Sequence, residues 1–144
     1  MIQINKALLA AFQNANYAVH APGARLTLRI GRHSAGLAAL LTQYGQPGIA
    51  ILTAFNPCAI TASDHENRRA QQSLRRAVRA LGLPCFNGEN SAADGDGPSE
   101  PTVAVLGISR SQGQALARRF RQLAFVYADR DAVPELVWTG QPRI

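Results

Sequence analysis

The chain has 144 residues, 47% of them hydrophobic and 17% charged. These proportions exclude a disordered or fibrous chain and fit a single folded domain over 1–144, with 139–144 as a frayed tail. The net charge of +6 points toward nucleic-acid phosphate as a partner, but only Lys6 is a lysine, and a GC-rich coding sequence gives the same arginine bias.

Residues 1–16 hold one lysine and no continuous apolar stretch, so they do not read as a secretory signal. No segment reaches the ~18 apolar residues of a membrane span. The expectation is a soluble cytoplasmic protein with no membrane association. Cys58 and Cys85 are too few and too far apart for a zinc ribbon or CxxC motif, and they read as packing residues in a reducing compartment.

In chain order, Ile4, Leu8, Ala11, Phe12 and Ala15 recur at helical spacing and predict a helix from Ile4 to Tyr17. His20-Ala-Pro-Gly23 punctuates the chain, and the alternating Arg25–Ile30 reads as a half-buried strand. Ser34 caps a helix reaching Tyr44. Ile49–Phe55 is almost continuously apolar, the mark of a strand covered on both faces. Ser63 and Glu66 form a capping box for a helix to Leu81, with Ala70, Leu74, Ala77, Val78 and Leu81 as its inward stripe and Gly82 behind it. A short strand at Leu83–Phe86 is followed by a polar loop over Asn87–Ser99. Pro101–Ile108 is a strand, and Ser109 or Ser111 caps a helix ending near Leu123. Ala124–Tyr127 and Glu135–Trp138 are the last strands. The order α-β-α-β-α-(β)-β-α-β-β predicts an α/β domain, with α+β as the variant: a mixed sheet of 4–6 strands with helices packed on it.

In open α/β sheets ligands gather beyond the carboxyl ends of strands. Here that rule marks Thr53-Ala54-Phe55-Asn56-Pro57, followed by the polar run Ser63–Asn67. A free helix N-terminus there suits a small polar or anionic ligand. The alternative is structural: Asn56-Pro57 as a turn, Ser63 and Glu66 as a cap.

The ordered set Tyr17, Leu28-Arg29-Ile30-Gly31, Thr53–Pro57, Glu66-Asn67, Glu100-Pro101-Thr102, Leu106-Gly107-Ile108 and Phe120–Ala124 resembles bacterial domain-of-unknown-function family 3293. The family pattern reads Thr-Ala-aromatic-Asn-Pro, Glu-Asn, Glu-Pro-Ser and Gly-Gln-Asn-Ala at these places. This chain has Thr102 for the serine, and Arg121 and Leu123 for the glycine and asparagine. The loop before Glu100 also lacks the tryptophan of the pattern. The resemblance implies no activity. It does single out Asn56, Asn67, Glu100 and Gln122 as polar positions in apolar surroundings.

Asn and Gln both donate and accept, which suits either a ligand site or an internal network. Glu100 is a candidate general base if burial raises its pKa, and equally a partner for Arg29. Thr53, Asn56, Asn67, Glu100 and Gln122 are therefore the candidate ligand-binding residues, whether the protein is a binding domain or an enzyme. His20, His33 and His65 make no HExxH-like arrangement, so no metal is expected, and the absence of GxGxxG or Walker patterns predicts no nucleotide cofactor. Gly88–Ser91 lacks the setting of a nucleophile elbow.

A separate reading uses the basic helix. Arg68, Arg69, Arg75, Arg76 and Arg79 lie opposite its apolar stripe, and Arg118, Arg119 and Arg121 add a second group. If both helices share one sheet face, they form a broad positive surface for nucleic acid or a protein partner. A solvated helix face accounts for the same pattern. A subunit without a site of its own is the third reading.

Overall fold

The computed structural model describes residues 6–95, 97 and 99–140. The expected helix start at Ile4 and the end of the expected frayed tail lie outside them. The described elements are α1 (Lys6–Asn14), β1 (Asn16–Ala21), β2 (Ala24–Leu28), α2 (Ala35–Tyr44), β3 (Ile49–Leu52), a 3-10 turn (Pro57–Ala59), α3 (Asp64–Arg79), β4 (Cys85–Ser91), β5 (Glu100–Leu106), α4 (Arg110–Arg119), β6 (Ala124–Ala128) and β7 (Glu135–Trp138).

The seven strands form one sheet in the order β2-β1-β4-β5-β3-β6-β7. Every pairing in it is antiparallel. The class is therefore α+β, and the expected mixed sheet of 4–6 strands is corrected on both counts. Each helical connection skips at least one strand. The crossover through α3 carries the chain from β3 to β4 with β5 between them, and the one through α4 carries it from β5 to β6 with β3 between them. These are split β-α-β units. Their alternation in sequence looks like that of a parallel sheet, while every neighbour in space is antiparallel.

The helix expected to reach Tyr17 stops at Asn14, and the chain turns at once into β1. Tyr17, Val19 and Ala21 point to the core at period two. Ala18 between them and Ala21 among them are both small, which blurs that alternation in the sequence. Pro22-Gly23 closes the β1–β2 hairpin, with Gly23 at φ 73°. β4 also extends well beyond Phe86. Asn87–Ser91 has poor strand propensity, yet its backbone is paired on both sides, to β1 and to β5, and this overrides propensity. Gly88 is required there, because a Cβ would overlap Ala18 O and come within 2.9 Å of Thr102 Oγ1.

Other expectations hold. Ser34 Oγ accepts Leu37 N–H at 3.0 Å. The capping boxes Ser63/Glu66 and Ser109/Gln112 both form. All four residues of β3 are buried. Leu74 and Val78 are inward on α3, but Leu81 is 40% exposed, since the helix ends at Arg79 and Leu81 falls beyond the stripe.

The sheet carries a core on each face. Leu37, Leu40 and Leu41 of α2 pack on Val19, Ile49 and Leu106. On the opposite face Leu74 and Val78 of α3 and Ala117 of α4 pack on Leu52, Val105 and Phe125. α1 lies against the α2 side, its Phe12 ring edge-on to Trp138 at 5.8 Å. No helix among the described residues is long and apolar enough to cross a membrane.

Candidate functional site

β3 runs apolar to Leu52, and the polar segment behind it is held by side chains rather than by the sheet. Thr53 Oγ1 donates to Pro101 O at 2.9 Å and accepts Phe55 N–H at 3.2 Å. Gln71 Oε1 accepts Ala54 N–H at 2.9 Å. Asn67 Oδ1 accepts Asn56 N–H at 2.8 Å, and Asn67 Nδ2 donates to Asn56 Oδ1 at 2.9 Å. Gln122 Nε2 donates to Phe55 O at 3.0 Å. Asn67 and Gln71 are one helical turn apart on α3, so one buried stripe reads two alternate backbone amides, those of Ala54 and Asn56. Gln71 belongs to this arrangement and sequence reasoning missed it. Its signal was the i, i+4 spacing to Asn67 ahead of Leu74 and Val78.

The segment is strained. Asn56, Cys58 and Ala59 have φ of 46°, 56° and 61°, a region costly for residues other than glycine, with Asn the most tolerant. Cys58 N–H donates to Arg121 O at 2.6 Å, and Arg121 itself sits at φ 58°. Glycine adopts such a backbone without strain, and arginine does not.

The cross-strand register supplies the other half of the site. Tyr17 stands opposite Asn90, and Asn90 opposite Glu100, so the three residues form a row across β1, β4 and β5. This row, the strained segment and the inner side of α1 enclose a half-open cavity of about 320 Å³. Its walls include Leu8 and Phe12 of α1, Ile51, Val126 and Leu136. Thr53, Asn56, Glu100, Thr102 and Gln122 also line it. α1 has no buried residue because its apolar side covers this cavity rather than packed core.

Among the described residues Glu100 and Tyr17 are the only ionisable side chains lining the cavity. Burial raises the Glu100 pKa above the usual carboxylate range. Burial, and then the Glu100 charge, raise that of Tyr17, whose hydroxyl donates to Phe12 O at 2.6 Å. Among the described residues Glu100 has no hydrogen-bond or ion-pair partner. Arg29, the partner weighed for it, donates to Asn16 Oδ1 at 3.2 Å instead. Thr102 is 2% exposed, and its Oγ1 has no partner.

A family model described as "Protein of unknown function (DUF3293)" matches residues 52–125. The chain belongs to that family. No curated protein and no solved structure matches it. The stretch shared with DUF3293 contains Thr53, Asn56, Asn67, Gln71, Glu100, Thr102 and Gln122. The helical wall of the cavity, α1, and Tyr17 lie before it.

Of the five residues marked by sequence, four line the cavity, and Asn67 stands behind Asn56 and fixes it. Thr53 and Asn67 spend their polar groups on the backbone and on Asn56. Glu100, Asn56 Nδ2 and Gln122 Oε1 keep theirs free among the described residues. His65 and Asp64 are exposed and do not line the cavity. The anion site expected at the start of α3 is closed by the cap: Glu66 Oε1 accepts from Ser63 N–H and Oγ, placing a carboxylate where the anion would sit.

The alternative surface is positioned as follows. α3 and α4 do share one sheet face. On α4, Arg110 is paired with Asp129 and Glu135, Arg118 Nε donates to Thr139 O at 2.6 Å, and Arg119 lies over Phe120. On α3, Arg68, Arg75, Arg76 and Arg79 have no acidic partner among the described residues. Arg75, Arg76 and Arg79 border a shallow groove, and Arg75 Nε is buried without a hydrogen bond.

Proposed function

We propose that the protein binds a small, largely apolar molecule in the cavity between α1 and the sheet. Glu100, Tyr17, Asn56 and Gln122 would form its polar end. The observation that carries this reading is convergence. Residues from β5, the segment behind β3 and the segment behind α4 bring hydrogen-bonding groups that are unpaired among the described residues to one half-open apolar cavity, the usual make-up of a small-molecule site. Backbone strain gathered at Asn56–Ala59, on its rim, supports the same view. Glu100 is the group that would exchange a proton if the bound molecule reacts, since its pKa is displaced by burial in a cleft.

The test is a nuclear magnetic resonance screen of the isotopically labelled chain against cationic, neutral and anionic fragments. The expected result is shift changes clustered at Tyr17, Thr53, Glu100, Thr102 and Gln122. Absence of any clustered response from all three charge classes overturns the reading.

A second reading rests on the unpaired arginines of α3. They support a phosphate-bearing partner, nucleic acid first, bound through charge rather than base contacts. It uses the opposite sheet face and is independent of the cavity.

A further inference from the structure

The cavity's hydrogen-bonding groups are unequal in kind. On the donor side, Gln122 Nε2 is committed to Phe55 O and Phe120 O, Thr53 Oγ1 to Pro101 O, and the Tyr17 hydroxyl to Phe12 O. Among the described residues the donors left to a ligand are Asn56 Nδ2, the Asn90 carboxamide and the hydroxyls of Ser91 and Thr102, while Asn56 Oδ1 already accepts from Ala62 N–H and Asn67 Nδ2. On the acceptor side stand Gln122 Oε1, Asn90 Oδ1, the Glu100 carboxyl and the unshared lone pairs of the Tyr17 oxygen. A ligand that donates hydrogen bonds finds acceptors here that are uncommitted among the described residues, the Glu100 carboxyl among them.

The charge balance points the same way. Among the described residues the lining holds one carboxyl and no Lys, Arg or His. An anion entering would meet the Glu100 carboxylate or an apolar wall. A cation would find the Glu100 carboxyl, which has no ion-pair partner among the described residues. Phe12, Tyr17, Phe55 and Phe125 line the same space, and aromatic faces attract organic cations. A volume of about 320 Å³ equals roughly ten water molecules, room for a ring with a short tail.

Resting on the proposed cavity reading, we propose that its ligand is a small primary amine with an apolar aryl or alkyl body, its ammonium paired with Glu100. The Glu100 carboxyl is held toward its neutral form in the empty cavity by desolvation. An arriving ammonium favours the carboxylate, so at a pH where Glu100 is still partly protonated binding releases a proton from it.

The experiment is calorimetric titration with 2-phenylethylamine, 2-phenylethanol and 3-phenylpropanoate, which share a body and differ in charge. The wild-type chain should bind the amine about tenfold or more tightly than the alcohol, the scale of a charge-assisted hydrogen bond, and bind the carboxylate weakest. Amine affinity should rise with pH as Glu100 ionises, below the range where the amine itself loses its proton. Tyr17, the other titratable group facing the cavity, ionises only at higher pH and leaves this profile alone. Glu100→Gln should remove the preference for amine and flatten the profile while keeping alcohol binding. Equal binding of amine and alcohol, or preference for the carboxylate, overturns the proposal but leaves the cavity reading intact. The comparison within the wild-type chain needs no variant to fold. A cavity residue set that responds to no fragment of any charge overturns both.

Discussion

Asn67 holds Asn56 by two opposed hydrogen bonds, accepting from its backbone N–H at 2.8 Å and donating to its side-chain oxygen at 2.9 Å. The pair joins a buried residue of α3, 4% exposed, to the rim of the cavity. It fixes a backbone at φ 46° that would otherwise relax. Asn67→Ala removes both bonds and leaves a part-buried N–H unsatisfied. The expected loss is about 2 kcal/mol, read as a lower urea midpoint with unchanged slope. Ligand binding should weaken with it, because the rim loses its fixed geometry.

Glu100 predicts a pH signature. Folding raises its pKa above the ordinary value of 4.5, so the folded chain keeps this proton over a window where the unfolded chain has lost it. The stability this gives is fully present below pH 4.5 and declines as pH rises through the folded-state value. Glu100→Gln has no such titration. The variant should gain on the wild type as pH increases above 4.5 and lose that advantage in acid. Urea titrations across that range check it, and parallel profiles for the two chains would contradict the burial argument.

What could be read before the fold was known depended on the range of the interactions. Ser34, Ser63 and Ser109 announce helix starts because a cap is completed within three residues. Ile49–Leu52 announces a doubly covered strand because apolarity needs no partner to be seen. Asn56, Asn67, Glu100 and Gln122 stood out as polar residues among apolar ones, and three of them meet in the cavity while Asn67 backs it. β1 was missed because its alternation runs through alanines, and Asn87–Ser91 because only pairing to two distant strands makes it a strand. The antiparallel sheet was hidden for the same reason, since a strand from elsewhere in the chain is inserted into each β-α-β unit. The role of α1 as a cavity wall was also invisible: an apolar helix face looks the same over a void as over a core.

Gly88 makes the register itself testable. It lies between Val19 on β1 and Thr102 on β5, and a methyl group there has no room against Ala18 O. Gly88→Ala must push β1 from β4, at a cost of about 3 kcal/mol from backbone overpacking. Because that movement carries Tyr17 away from Glu100, the near-ultraviolet circular dichroism of tyrosine should change along with the melting temperature. A neutral substitution would mean that β1 and β4 do not pair in this register.

The arginines of α3 make a prediction that does not touch the cavity. Arg75→Glu, Arg76→Glu and Arg79→Glu combined reverse the groove's charge. If the groove binds phosphate, the wild-type chain should bind duplex DNA with an affinity falling steeply as salt rises. The triple variant should lose that binding while its amine titration is unchanged. Equal DNA binding by both chains removes the nucleic-acid reading and leaves a solvated helix face.

Arg121 offers the last test, of strain at the site's edge. Its side chain is exposed, with no partner among the described residues, and its contribution is a carbonyl that accepts Cys58 N–H at 2.6 Å. That carbonyl is aimed by a backbone at φ 58°, where a Cβ costs roughly 1 kcal/mol that glycine avoids. Glycine in turn makes the unfolded chain more flexible, which offsets part of the gain. Arg121→Gly should therefore stabilise the protein by about 0.5 kcal/mol, seen as a small rise in melting temperature. Gln122, the next residue, should keep its bond to Phe55 O, so ligand affinity should not change. A clear loss of stability would show that the arginine side chain holds the turn through a contact of its own, and that the strain at Asn56–Ala59 is balanced there.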